Sequence, residues 1–295
     1  MGTGVITKRF RAFYHNLCLT DAQVREGADH HNGVRKSLNA HYYGYSSTSA
    51  NSFLSGSWGK STRTRPPRDI DIYFVLPIQV YWRFQLVQGN KQSALLQDVK
   101  RILQLTYPNT NLRGDGQVVV VGFHRMSVEV VPAFTCTSGQ YLICDTHAGG
   151  RYKVADPMAE MSHISGGNAR FNGNLCPLIM MMKAWQYHCN VPLKSFCIEL
   201  VAADFLRQYQ WARNGFSYYD WIMRDFLGYL CDRANQYVFV PGTYKATWLG
   251  DAWLSRAETA HGRAVKACNY EMKNYIYPAG EEWQKIFGTQ IPLWV

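Results

Sequence analysis

The sequence predicts an α/β fold of the α+β kind: a mixed sheet with flanking helices, followed by a helical subdomain. Three observations carry this. Short segments of alternating or continuous apolar residues crowd positions 52–155. Helix-spaced segments lie before and among them. After Asp156 the apolar spacing becomes helical and stays so.

Val5–Tyr43 has helical spacing, with Thr20 and Asp21 offering an N-cap inside it. Ser46–Asn51 is a polar break. Ser52–Trp58 and Asp69–Leu76 are expected strands around a loop holding Gly59, Pro66 and Pro67. Lys91–Leu105 is an expected helix, with Leu95, Val99, Ile102 and Leu103 on one face. Strands follow at Gln117–Val121, Met126–Val131, Gln140–Asp145 and Arg151–Ala155. Asn174–His188 is a helix with an apolar face at Leu175, Leu178, Ile179, Met182 and Trp185. Ser195–Gln208 and Tyr218–Asn235 are further helices, Tyr237–Pro241 is extended, and Asp251–Asn274 is a long closing helix. The expected division is 1–156, a core that includes the N-terminal helix, and 157–295, a helical subdomain. The first helix is expected to pack across both.

Composition bounds the chemistry. A chain of 295 residues with 47% hydrophobic content can bury a substantial core, and 18% charged residues are too few for disorder. No apolar run is long enough to span a bilayer, and MGTGVITKRFRAFYHNL lacks the apolar centre of a signal peptide. Gly2 follows Met1, but Ile6 stands where myristoylation needs Ser or Thr. These features predict a soluble cytoplasmic protein without a membrane partner. Eight cysteines form no CxxC pair, and most sit among apolar residues, which favours reduced buried thiols over disulfides or zinc. A formal net charge of +10 suits an anionic partner. The densest basic group is Lys60, Arg63, Arg65 and Arg68. By charge alone a solvated loop explains it equally well.

The chemistry-bearing segment runs Gly56-Ser57-Trp58-Gly59-Lys60-Ser61-Thr62, then Arg68-Asp69-Ile70-Asp71-Ile72. Alternate side chains of a strand share a face, so Asp69 and Asp71 point one way and Ile70 and Ile72 the other. Ser127-Val128-Glu129-Val130 repeats the pattern, with Glu129 facing away from the core. If the two strands are neighbours, three carboxylates share one patch. Two charges about 4 Å apart cost roughly 4 kcal/mol at an effective dielectric of about 20. A divalent cation such as Mg²⁺ resolves that repulsion and leaves positions open for substrate phosphates. Two such ions activate a hydroxyl and stabilise a leaving oxygen. Gly56 lets backbone approach a phosphate, Ser57 offers a hydroxyl and an N–H, and Lys60 adds charge. The plainer account is a glycine-shaped turn beside an exposed strand face. The order of the elements favours the functional one. A Walker-type P-loop is excluded, because Leu54 stands where its first glycine belongs.

The string GSWGKSTRTRPPRDIDIYFVLP resembles the cGAS/DncV-like nucleotidyltransferases of bacteria, oligonucleotide cyclases of anti-phage signalling within the DNA polymerase beta superfamily. Glu129-Val130-Val131-Pro132-Ala133 resembles that family's third-carboxylate strand, and the resemblance extends through Lys183-Ala184-Trp185 and Leu193–Leu200. It implies a polymerase-beta-like nucleotidyltransferase core whose helical subdomain closes the cleft. Asp69, Asp71 and Glu129 then hold two catalytic Mg²⁺ ions, with Mn²⁺ as a substitute. Many relatives carry Asp at the third position. Gly56 and Ser57 match residues that hold the donor triphosphate. Lys183 and Ser195 match residues that contact it from the helical side, although a snorkelling Lys183 and an N-cap Ser195 are plainer accounts. Tyr42, Tyr43, Tyr45 and Trp58 lie around the phosphate loop and are more simply packing residues than base platforms.

The resemblance further implies a template-independent synthase. It would join NTP substrates, ATP with GTP, into a cyclic di- or trinucleotide second messenger with release of pyrophosphate. A product-sensing effector protein would receive it, regulatory proteins would control it, and no template nucleic acid or activating DNA is required. One rival is a linear nucleotidyltransferase acting on an RNA end or small acceptor. A second is a catalytically silent nucleic-acid sensor. The intact carboxylates oppose the sensor, since acidic repulsion gains nothing against a polyanion.

Overall fold

A computed structural model describes residues 2–295. The chain opens with α1 (Gly2–Leu17) and α2 (Asp21–Tyr43), within the helical stretch expected over Val5–Tyr43 and divided where Thr20 and Asp21 offer an N-cap. The break is chemical. Thr20 Oγ1 accepts from Gln23 N–H at 3.3 Å, and Gln23 Oε1 accepts from Thr20 N–H at 3.0 Å, a reciprocal capping box. There follow β1 (Ser52–Leu54), the single turn α3 (Gly56–Gly59), β2 (Asp69–Val75), α4 (Ile78–Gln85) and α5 (Lys91–Thr106). Five strands complete the sheet: β3 (Asn111–Asp115), β4 (Val118–Gly122), β5 (Ser127–Thr135), β6 (Tyr141–Asp145) and β7 (Arg151–Ala155). The remainder comprises α6 (Pro157–Arg170), α7 (Leu175–His188), α8 (Ser195–Gln208), α9 (Tyr219–Cys231), the hairpin β8 (Tyr237–Phe239) and β9 (Ala246–Trp248), α10 (Leu254–Met272) and α11 (Ile276–Phe287). The expected strand Ser52–Trp58 stops at Leu54, because Gly56 turns to φ +50° and starts α3. The helix expected to close the chain is followed by another, α11.

Two compact units emerge. The α/β unit comprises Leu19–Ser61 and Pro67–Met161. Its sheet runs β1-β2-β5-β4-β3, with β6 and β7 added along the second half of β5. The β2–β5 pair is parallel and the others are antiparallel. Ile70, Ile72, Phe74, Val128 and Val130 are buried with Leu95, Val99 and Leu103 of α5 and Val34 and Leu38 of α2. The opposite face is polar at the start of β2 and β5. Farther along it carries a small cluster of Val131, Ala133 and Ile143, with Tyr73 and Tyr141 against it.

The helical unit comprises the first segment through Cys18, Thr62–Pro66 and Ser162–Val295. The sequence reading had placed the first helix with the core at 1–156. Phe10, Phe13 and Leu17 of α1 are instead buried in the helical core with Trp185 and Trp283, and Arg9 Nη1 meets Glu271 Oε1 at 2.7 Å. Most of α7, from Leu175 to Met182, is buried on every side, broader than the single apolar face its spacing suggested. All eight cysteines are free thiols.

Candidate active site

The register of β2 and β5 builds the carboxylate face. Asp69 pairs with Ser127 and Asp71 with Glu129, in parallel, so these four side chains share one side while Ile70, Ile72, Val128 and Val130 fill the core behind. Ser127 Oγ donates to Asp69 Oδ1 at 2.6 Å and fixes that carboxylate. The Glu129 carboxyl is pushed up to about 7, first by burial, then by the negative charges of Asp69, Asp71 and Asp115, with Arg113 opposing.

The turn after β1 lies directly on β2. Ser55 N–H donates to Asp71 O at 2.9 Å. Gly56 follows at φ +50°, and a Cβ there would stand 1.8 Å from Asp71 Oδ2. Only glycine permits this approach. Ser57 is the next residue of the same turn and is partly exposed. At the far end, a Cβ on Gly59 would meet Leu54 O and Met161 Sδ, each at 2.6 Å. Lys60 is buried, at 7% exposure, and its Nζ lies 3.1 Å from Glu160 Oε2 in the first turn of α6. The sequence reading offered this ammonium to a phosphate, whereas the fold engages it in an internal ion pair. Tyr73, the next residue after Asp71 on this face, has its phenol pushed up by burial and by the charges of Glu160 and Asp71.

Lys183 and Ser195 belong to the helical unit. Lys183 Nζ lies 2.7 Å from Glu199 Oε1 and donates to Thr62 Oγ1 at 2.9 Å. Ser195 is the first residue of α8, and its Oγ donates to Gln186 Oε1 at 2.7 Å. The cap position is Lys194, so Ser195 is not an N-cap. Of the basic loop, Arg65 donates to the carbonyls of His15 and Asn16 at the end of α1. Tyr42 OH donates to Asp98 and Tyr43 OH to Val75 O, while Trp58 packs over Gly27, so these rings are packing residues.

Among the described residues no three His, Cys, Asp or Glu side chains are grouped so as to hold a metal ion. Asp69, Asp71 and Glu129 form an open face of hard oxygen donors. Burial first, and then the neighbouring carboxylates, raise the Glu129 carboxyl. Hard carboxylate oxygens are the donors a divalent cation takes, so the donor set fits such an ion in its chemistry. Sequence reasoning missed Ser127 and Glu160. Ser127 had a signal, since it stands two residues before Glu129 and therefore shares its face.

Several known proteins are similar to this chain. A cyclic AMP-AMP-AMP synthase of Acinetobacter sp. (strain ATCC 27244 / 9458) is 26% identical over 198 residues, covering 63% of this chain and 54% of that protein. The chain thus spans about half the length of the curated relatives it matches. The fold matches Escherichia coli MS115-1 CdnC, solved with ATP, at a TM-score of 0.70 and 18% identity, covering 97% of this chain and 98% of CdnC. CdnC has also been solved in a complex with HORMA-deltaN. Vibrio cholerae DncV, a cyclic AMP-GMP synthase solved with the linear intermediate pppA(3′,5′)pG, matches at 0.66 and 15% identity over 81% of this chain and 68% of DncV. The model of the Second Messenger Oligonucleotide or Dinucleotide Synthetase domain matches residues 5–168, more than half of the chain, and the chain belongs to this family of cGAS/DncV-like nucleotidyltransferases.

Proposed function

We propose that the chain is a template-independent nucleotidyltransferase that builds a cyclic oligonucleotide second messenger from NTPs, with release of pyrophosphate, in anti-phage signalling. The observation that carries this reading is the β2–β5 register, which sets Asp71 beside Glu129 with Asp69 on the same face. Members of the family generally use divalent metal ions. We assign two Mg²⁺ ions, or Mn²⁺, to Asp69, Asp71 and Glu129. Bound there, the ions supply charge neutralisation at the reacting phosphate and hydroxyl.

The chain's own groups position the reactants. Gly56 admits the donor triphosphate close to the backbone, and Ser57 offers it a hydroxyl and an N–H. Asp69, steadied by Ser127, and Asp71 fix the geometry of the face. Glu129 orients the 3′-hydroxyl of the acceptor nucleotide. That oxygen gives up its proton to the Glu129 carboxylate and bonds to the α-phosphorus of the donor as the bond to pyrophosphate breaks, and a final intramolecular attack of the same kind closes the ring. The family resemblance also assigns Lys183 and Ser195 to the triphosphate; within the helical unit Lys183 is held by Glu199 and Thr62, and Ser195 by Gln186. Lys60 shapes the turn from behind through Glu160.

The name of the Acinetobacter relative and the ATP in CdnC support ATP as a substrate, and the DncV intermediate supports GTP as a second. The CdnC complex supports a regulatory protein partner, and a diffusible product requires a sensing effector. Among the described residues no helix is long and apolar enough to cross a membrane, in keeping with our assignment to the cytoplasm. The test is to incubate the pure protein with all four NTPs and Mg²⁺ and identify products by mass spectrometry. Cyclic products are expected. Acceptor-dependent linear products would move the chain to the linear transferases, and absence of turnover under every activating condition would sink the reading.

A further inference from the structure

A cavity lies within the helical unit, and none of its residues belongs to the carboxylate face. It encloses about 200 Å³ and is lined by Cys189, Ser255, Arg256, Thr259, Ala260, Arg263 and Lys285. The lining follows from helical spacing. Residues 255, 256, 259, 260 and 263 fall within one arc of α10 at about 100° per residue. Lys285 comes from α11, and Cys189 caps α7. Cys189 Sγ donates to Ile286 O at 3.5 Å, which ties the α7 end to α11.

The charge in this cavity is unbalanced. Glu282 is the acid that serves it: its Oε1 lies 2.5 Å from Lys285 Nζ and its Oε2 3.5 Å from Arg263 Nη1. One carboxylate therefore answers two cations. Arg256 has no carboxylate partner among the described residues. Arg256 and Arg263 both line this cavity beside Cys189, whose thiol burial pushes up and the two guanidinium charges draw down. The Ser255 hydroxyl stands beside them on α10, while Thr259 Oγ1 donates to Ser255 O at 2.9 Å. Clustered like charges are costly unless an anion sits among them, and two guanidinium forks with the Ser255 hydroxyl match phosphate oxygens. The volume is below the usual range for drug-sized ligands, about 300–1,000 Å³, and suits a small anion.

We propose that this cavity is a phosphate-binding site, held by Arg256, Arg263 and Lys285 with Ser255, that takes pyrophosphate or the phosphate of a mononucleotide. The proposal is independent of the catalytic reading, because it uses none of that site's residues.

The test is calorimetric titration of the full chain in about 150 mM salt with excess chelator, which silences metal-dependent binding elsewhere. One arm uses inorganic pyrophosphate and a second uses AMP, which separates an inorganic anion from a nucleotide phosphate. Saturable binding at one site per chain in either arm is expected. Arg256→Gln, at an exposed position, should weaken it about tenfold, the loss expected for one charge-assisted hydrogen bond. Absence of binding in both arms would overturn the proposal, as would binding that Arg256→Gln and Arg263→Gln leave unchanged.

Discussion

Gly56 and Asp71 touch because one of them has no side chain: a Cβ on Gly56 would stand 1.8 Å from Asp71 Oδ2. Gly56 also sits at φ +50°, where an L residue costs about 1–2 kcal/mol. Gly56→Ala must therefore push the turn away from β2 or displace the carboxylate. We expect NTP turnover to fall by about 100-fold or more, the scale of an ångström misplacement, with only a modest loss of stability. Parallel measurements of pyrophosphate release and of Tm check this. An alanine variant with normal turnover would show that the turn does not register the substrate.

The Lys60–Glu160 pair fastens the other end of that turn. Removing one partner of a buried pair costs about 3–5 kcal/mol, whereas removing both costs less. Lys60→Met should thus destabilise more than Lys60→Met combined with Glu160→Gln. Urea unfolding of the four proteins of the cycle gives the coupling, expected at about 1–2 kcal/mol. A coupling near zero would return Lys60 to the phosphate role its sequence position first suggested.

Lys183 and Glu199 pose the same question in the helical unit. Glu199 is 5% exposed at the side chain and receives Lys183 at 2.7 Å. Lys183→Met removes the ammonium from that buried carboxylate, which keeps the Thr62 hydroxyl at 3.3 Å, so unfolding should be easier by about 3 kcal/mol. If Lys183 also serves the triphosphate, KM for NTP should rise well below the melting temperature while Ser195→Ala acts in the same direction. A loss of stability with unchanged kcat/KM would confine Lys183 to the fold.

The carboxylate face was legible because strand alternation is local: Ile70 and Ile72 against Asp69 and Asp71, Val128 and Val130 against Glu129. What brings the two segments together, a parallel register between distant strands, is not written in either period. The Lys60–Glu160 pair was hidden for a related reason, since the two residues lie 100 positions apart. The division of α1 from α2 was half visible. Thr20 marked a cap, but helical spacing on both sides hid that the two apolar stripes bury in different units. The β3 strand, Asn-Leu-Arg-Gly-Asp, was invisible because an edge strand with one buried residue has no apolar alternation to read.

The carboxylate face makes a final prediction that needs no knowledge of the product. Glu129 ordinarily titrates near 4.5, and burial with the neighbouring carboxylates pushes it up to about 7. The folded protein therefore holds a proton there that the unfolded chain releases, and ionising Glu129 in the fold is unfavourable. Stability should be lost as pH rises from about 4.5 through about 7, and Glu129→Gln should remove that loss. In chelator at pH 8 the variant should melt above wild type, and at pH 4 the two should coincide. Adding Mg²⁺ with a non-hydrolysable NTP should reverse the order at pH 8, because a ligand stabilises only the protein that binds it. The measurement is a pair of thermal melts, with and without ligand, at each pH. A variant that melts well below wild type in chelator would mean that Glu129 makes a structural bond. Equal ligand-induced shifts in both proteins would place the ion elsewhere, and the assignment of Glu129 to the site would have to be given up.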